Sequence, residues 1–131
     1  MDNFAPLLSQ GLAQLALADL PADTAPRLLA WATELLKWNE KVSLTAITRP
    51  EEVVDKHLLD SLAVLPEVRG ATHLLDLGAG AGLPGIPLAV ALPDLKATLV
   101  DAVSKKVSFM KSGAVKAGVI ARVKAIHARA E

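Results

Sequence analysis

The spacing of apolar positions changes character near Gly70. Upstream, apolar side chains recur every three or four residues, the period of helices that bury one face. Leu7, Leu8, Leu12 and Leu15 share a face of a first helix, expected to end near Leu20-Pro21. Thr24 and Pro26 open a second, in which Leu28, Ala32, Leu35, Asn39 and Val42 keep helical spacing. Thr48-Arg49-Pro50-Glu51-Glu52 reads as a third start, with a capping hydroxyl, a proline in the first turn and two acids at the positive end of the dipole. That helix carries Val53, Val54, His57, Leu58, Ser61 and Leu62 and is predicted to stop before Pro66. Downstream of Gly70, short apolar runs at 72–77, 96–101 and 121–127 read as strands, separated by helices over about 84–92 and 104–117. Strand, helix, strand, helix, strand at this spacing predicts an α/β fold with a parallel sheet. Arg122, Lys124 and Arg129 make the last run alternate, as at a sheet edge that a second copy could pair with. Three parallel strands are few for such a fold, since both faces must be covered. The expected organisation is therefore a helical part over 1–69, then the front portion of a larger α/β domain over 70–131, incomplete at the C-terminus.

The junction after the first strand carries the chemistry. Asp76 ends an apolar run, and Gly78, Gly80 and Gly82 alternate behind it. Such glycines allow backbone conformations closed to other residues and let a ligand lie directly on the chain. Between strand and helix, this reads as a cofactor-binding turn. Asp101 stands nineteen residues after Gly82 at the end of the second strand, where a carboxylate can accept hydrogen bonds from both hydroxyls of a ribose. Gly80, Gly82 and Gly85 also satisfy the Gly-x-Gly-x-x-Gly spacing of dinucleotide sites, so an NAD-binding oxidoreductase half-domain remains an open reading. Two features favour S-adenosylmethionine. Asp76 lies two residues before the first glycine, where it can meet a cationic amino-acid group. Pro84 and Pro87 remove N–H donors that a pyrophosphate would seek in the first helical turn.

Composition narrows the classes. The chain has 131 residues, 52% of them apolar, which is enough for one domain with its own core. No apolar run reaches the ~18–20 residues of a membrane span. Met-Asp-Asn-Phe-Ala-Pro lacks the basic start of a secretory signal, so a cytoplasmic protein is expected. There is no cysteine, and His57, His73 and His127 show no metal-ligand spacing, so no metal is expected. The formal net charge of zero hides a gradient: residues 1–70 hold ten acids and six bases, whereas residues 102–131 hold seven bases against Glu131 alone. That basic third suggests a local polyanion contact, the plainer alternative being a solvated helix face.

Residues 76–87, Asp-Leu-Gly-Ala-Gly-Ala-Gly-Leu-Pro-Gly-Ile-Pro, closely resemble the loop of the bacterial small-subunit ribosomal RNA methyltransferase G family, formerly the glucose-inhibited division protein B family. Residues 38–47, Trp-Asn-Glu-Lys-Val-Ser-Leu-Thr-Ala-Ile, and 56–62, Lys-His-Leu-Leu-Asp-Ser-Leu, resemble the same family, and 127–131 resembles its next cofactor motif. The resemblance implies a class I S-adenosylmethionine-dependent methyltransferase fold with a helical N-terminal cap. It further implies methyl transfer to N7 of a guanine in 16S rRNA, either free or within the small ribosomal subunit. By position, Gly78 and Leu83 would contact the cofactor, Gly80 and Gly82 would allow its approach, Asp101 would hold the ribose, and Ala130 and Glu131 would lie beside the adenine. Lys105 and Lys106 match a basic pair suited to RNA phosphates. Three positions depart from the family pattern: Ser43 replaces Asn, Ser104 replaces Gly, and Lys106 replaces Arg, which loses a planar fork. The family also continues past Glu131 with further strands and much of the guanine pocket, so this chain is expected to hold a cofactor half-site. An RNA-binding module without activity is the remaining alternative.

Guanine N7 has a free in-plane lone pair, so its alkylation calls for alignment and exclusion of water but no general base. His57 and Asn39 are the candidates for lining such a pocket, and Asn39 on an apolar face must find a partner in protein or RNA. Asp60 and Ser61 read as ties between the third helix and the glycine loop. Trp31 and Trp38 read as packing residues rather than stacking platforms.

Overall fold

The computed structural model describes residues 2–15, 17 and 19–129. A turn of 3-10 helix, Asp2–Phe4, leads into α1, Ala5–Gln14. This helix stops well before the expected Leu20-Pro21 boundary. Its buried stripe is also narrower than the leucine pattern implied: Leu8 is buried, but Leu7 and Leu15 are exposed. Gly11 supplies the rest of the contact, because any Cβ there would run into Leu59.

α2, Thr24–Asn39, starts where the sequence placed it. The third helical segment departs from expectation at its start. Thr48 does not cap it. The residue before Pro50 is Arg49, extended at φ −88° and ψ 130° as a residue preceding proline prefers, and its guanidinium holds Glu51 at 2.7 Å. α3, Pro50–Glu52, then widens into a π-helix, Val53–Leu59, before closing as α4, Asp60–Leu62. The segment ends at Leu62, before Pro66 as expected; Pro66 itself sits in the first turn of a separate short helix, α5, Leu65–Val68, where its missing N–H is harmless.

Beyond Gly70 the elements follow the expected order: β1 (His73–Leu77), α6 (Gly85–Ala91), β2 (Lys96–Asp101), α7 (Ser104–Lys116) and, after a 3-10 turn at Ile120–Arg122, β3 (Val123–His127). The strands form one parallel sheet in the order β1-β2-β3, with Asp76 paired to Leu99 and Leu99 to Ala125. α6 and α7 pack on this sheet and α2 packs on both helices, so the core lies between sheet and cap around Leu28, Trp31, Leu35, Leu99 and Phe109. On the opposite face of β1, Leu75 and Leu77 are 62% and 55% exposed. β3 is a sheet edge, as its alternation predicted, and β1 is the other. No helix among the described residues is long and apolar enough to cross a membrane.

Arg122, counted in the basic third, is spent inside the fold. Its guanidinium donates to the carbonyls of Ala89 (2.9 Å), Leu92 (3.2 Å) and Leu95 (2.7 Å), closing the C-terminal end of α6. Burial, with the nearby charge of Arg27, depresses its pKa, and Asp94 opposes them. Arg122→Met keeps the aliphatic stem but leaves those carbonyls to solvent alone. We expect unfolding free energy to fall by about 1–2 kcal/mol. A thermal melt matching the wild type would refute this.

Candidate cofactor loop and its surroundings

Past Leu77 the chain turns over the C-terminal edge of the sheet. The amides of Gly78 and Ala79 both donate to the carbonyl of Val100, at 2.8 and 3.0 Å, tying the loop to β2. Gly78, Gly80 and Gly82 take φ values of 71°, 59° and 94°, in the left-handed region. They serve different ends. A Cβ on Gly78 or Gly80 would meet nothing within 4 Å, so these two leave the loop's surface bare. A Cβ on Gly82 would meet Ile86 at 2.5 Å and Leu99 at 3.6 Å, and one on Gly85 would run into Leu99. At Gly82 the missing side chain has a packing reason that the spacing did not show, since it lets loop and α6 lie close on β2.

Two carboxylates flank the bare stretch. Asp101, 8% exposed at the end of β2, accepts from the amides of Gly80 and Val103, one on each oxygen at 2.9 Å. Each oxygen keeps a further lone pair. Asp76 is half-buried and accepts from the amide of Gly85 at 3.3 Å; burial pushes its pKa up, against the pull of that bond. Leu83 is half-buried where the loop enters α6. The end of β3 is joined to the same edge, since the Ala128 amide donates to the Asp101 carbonyl and the His127 ring meets that of Ala102. Ala130 and Glu131 lie outside the described residues.

His57 and Asn39 meet through Thr45. The Asn39 carboxamide oxygen accepts from the amides of Leu44 (2.8 Å) and Thr45 (3.1 Å), so its partner is protein. His57, on the π-helix, has Nε2 3.1 Å from the Thr45 hydroxyl. Its ring stands edge-on to Trp31, with centroids 6.4 Å apart. Trp31 is the residue whose role the sequence concealed. Fully buried, it donates from Nε1 to the carbonyl of Ala81 at 3.3 Å and so ties the glycine loop to α2. An indole on an apolar helix face looks like ordinary core; its one polar atom was the available signal. Asp60 is exposed, and its charge acts on His57 rather than tying α4 to the loop.

Burial holds the His57 pKa below 6.5, against the opposing charge of Asp60. The folded protein therefore takes up this proton less readily than the unfolded chain. Stability is complete above the unfolded value and falls as pH drops below about 6.5. His57→Gln keeps a hydrogen-bonding group near Thr45 and does not titrate. We expect denaturant titrations of this variant between about pH 7 and 5 to show a shallower loss of stability than the wild type. An equal loss would place the effect elsewhere.

Lys105 is exposed and Lys106 half-buried in the first turn of α7. Neither has an ion-pair partner among the described residues. Positive charge there opposes the helix dipole.

Residues 24–131 match the protein family described as rRNA small subunit methyltransferase G. The chain belongs to that family. The ribosomal RNA small subunit methyltransferase G of Myxococcus xanthus (strain DK1622) is 59% identical over 133 residues, which cover 100% of this chain and 60% of that protein. Proteins of the same name from Anaeromyxobacter sp. (strain Fw109-5) and Azoarcus sp. (strain BH72) are 51% and 46% identical, covering 95% and 98% of this chain and 57% and 59% of theirs. The chain thus spans about 60% of the length of these curated relatives. The match begins at Thr24, so α1 lies outside it, while the α/β fold with its parallel sheet and glycine turn after β1 is of the class I methyltransferase type.

Proposed function

We propose that this chain forms the donor-binding part of an S-adenosylmethionine-dependent rRNA methyltransferase, acting on N7 of a guanine in 16S rRNA. The observation that carries the reading is the open surface over Gly78 and Gly80, bordered by the Asp101 carboxylate. A ligand can lie against that backbone with its ribose hydroxyls donating to the spare lone pairs of Asp101. Asp76 then faces a cationic amino-acid group, which relieves the cost of its buried charge. Leu83 gives the apolar contact. S-adenosylmethionine, when bound, supplies an electrophilic methyl group on a sulfonium.

The protein's part is alignment and exclusion of water, because guanine N7 brings its own lone pair. Residues 1–69 act as the cap, and through Trp31 they fix the height of the loop. Asn39 and His57 order the 44–47 segment and take no proton from the base. Lys105 and Lys106 meet RNA phosphates.

Isothermal calorimetry with S-adenosylhomocysteine and with NAD tests the donor assignment. The expected result is saturable binding of S-adenosylhomocysteine and none of NAD. Tighter binding of NAD would replace the reading with an oxidoreductase half-domain.

A further inference from the structure

α2 and α7 run antiparallel, and their contacts fix the register. Trp31 packs beside Gly113, Glu34 accepts from the Ser112 hydroxyl, and Trp38 meets Phe109 edge-on with centroids 5.6 Å apart. Beyond these contacts, the Lys41–Val42 turn that follows α2 and the Lys105–Lys106 start of α7 lie toward the same end of the helix pair. At that end lies a groove of about 360 Å³ lined by Lys37, Trp38, Glu40, Lys41 and Val42. Trp38 is only half-buried: one edge rests on Phe109 while the ring also lines the groove.

Four lysines thus lie toward one end of a helix pair, and none has an ion-pair partner among the described residues. Lys37 and Lys41, four residues apart, repel one another. A place at the C-terminal end of α2 suits them; Lys105 and Lys106 have no such compensation, since they sit at the wrong end of α7. Glu40 is the single acid of the groove. The unrelieved positive charge calls for an anion, and an aromatic, aliphatic-walled groove in its midst calls for a flat apolar group. α7 starts three residues after Asp101, so this end of the helices and the glycine loop share the C-terminal edge of the sheet.

We infer that the groove beside Trp38 receives an unpaired base of an RNA strand, whose phosphates run over Lys37 and Lys41 to Lys105 and Lys106. The base stacks on the exposed part of Trp38. Glu40 accepts from a base amino group or a ribose hydroxyl, and the phosphates stay on the lysine side. This face deepens the reading above and rests on it, because it gives the rRNA a path toward the donor loop.

Fluorescence anisotropy of a labelled mixed-sequence single-stranded RNA, titrated across salt concentrations, tests the face. Each lost phosphate contact flattens the salt slope by about 0.7, so Lys37→Gln/Lys41→Gln together should flatten it by about 1.4. Lys116→Gln, near the far end of α7, should leave it unchanged. Trp38→Leu should weaken binding roughly 5- to 100-fold. Trp38 also packs on Phe109, so the wild type provides an independent readout: RNA should quench tryptophan emission and shield it from iodide. Unchanged slope and emission with RNA still bound would overturn the face and leave the enzyme reading standing. No RNA binding at low salt would overturn both, and failure to bind S-adenosylhomocysteine while the slope responds would overturn the donor assignment alone.

Discussion

Gly82→Ala should destabilise the protein by about 2–4 kcal/mol, whereas Gly80→Ala should spare most of the stability and abolish donor binding. Both positions have positive φ, which costs an alanine about 1 kcal/mol or more. At Gly82 the new methyl also meets the Ile86 side chain at 2.5 Å, and Ile86 is fully buried, so it must shift within the core. Overpacking of that kind adds about 1–3 kcal/mol. At Gly80 the methyl meets nothing in the protein and instead stands where the proposed ligand must touch the backbone. Thermal melts and S-adenosylhomocysteine calorimetry on the two variants separate the effects. If Gly80→Ala binds as the wild type does, the ligand does not lie on that surface, and the donor assignment fails.

The order of strands and helices after Gly70 was legible because each run is short, apolar and closed by a proline or glycine. The glycine turn was legible as a motif. Its division of labour was not: spacing cannot tell a glycine that faces solvent from one pressed against Leu99, since both depend on which way a Cβ would point. In the cap the helical period found the buried faces of α2 and of the third segment. It could not anticipate the π-helix at Val53–Leu59, whose wider turn changes the period itself and brings His57 toward Thr45. The third segment does stop before Pro66, but the proline pattern did not reveal that Pro66 itself sits in the first turn of another short helix. The basic third averaged together cations with different fates. Arg122 is consumed by carbonyls, whereas Lys105 and Lys106 stay available; only three-dimensional neighbours distinguish them.

Trp31 and Asp101 hold the loop from opposite directions, the indole at Ala81 and the carboxylate at Gly80. Adjacent residues of the loop are thereby fixed by α2 and by β2. If the loop seats the donor as proposed, α2 belongs to the geometry of that site through the Trp31 bond. Preorganisation of this kind favours donor binding, since a bare glycine loop would otherwise lose considerable chain entropy on meeting a ligand.

Asp101→Asn should lower S-adenosylhomocysteine affinity by about 10- to 100-fold, as expected for losing one or two hydrogen bonds to a charged acceptor. The carboxylate accepts from Gly80 on one oxygen and Val103 on the other. An asparagine offers one oxygen and one NH₂ group, so one backbone amide would face another donor, in a nearly buried place. Stability should therefore also fall, by about 1–3 kcal/mol. A purely structural role for Asp101 would produce both losses, so affinity alone does not decide. An analogue of S-adenosylhomocysteine lacking the ribose 2′-hydroxyl supplies the missing corner of a thermodynamic cycle. In the wild type, removing the hydroxyl should weaken binding about tenfold; in Asp101→Asn the same removal should cost clearly less, because the uncharged carboxamide keeps only one, weaker acceptor oxygen. Equal penalties in both proteins would mean that the ribose is held elsewhere and that Asp101 shapes the loop without touching the ligand.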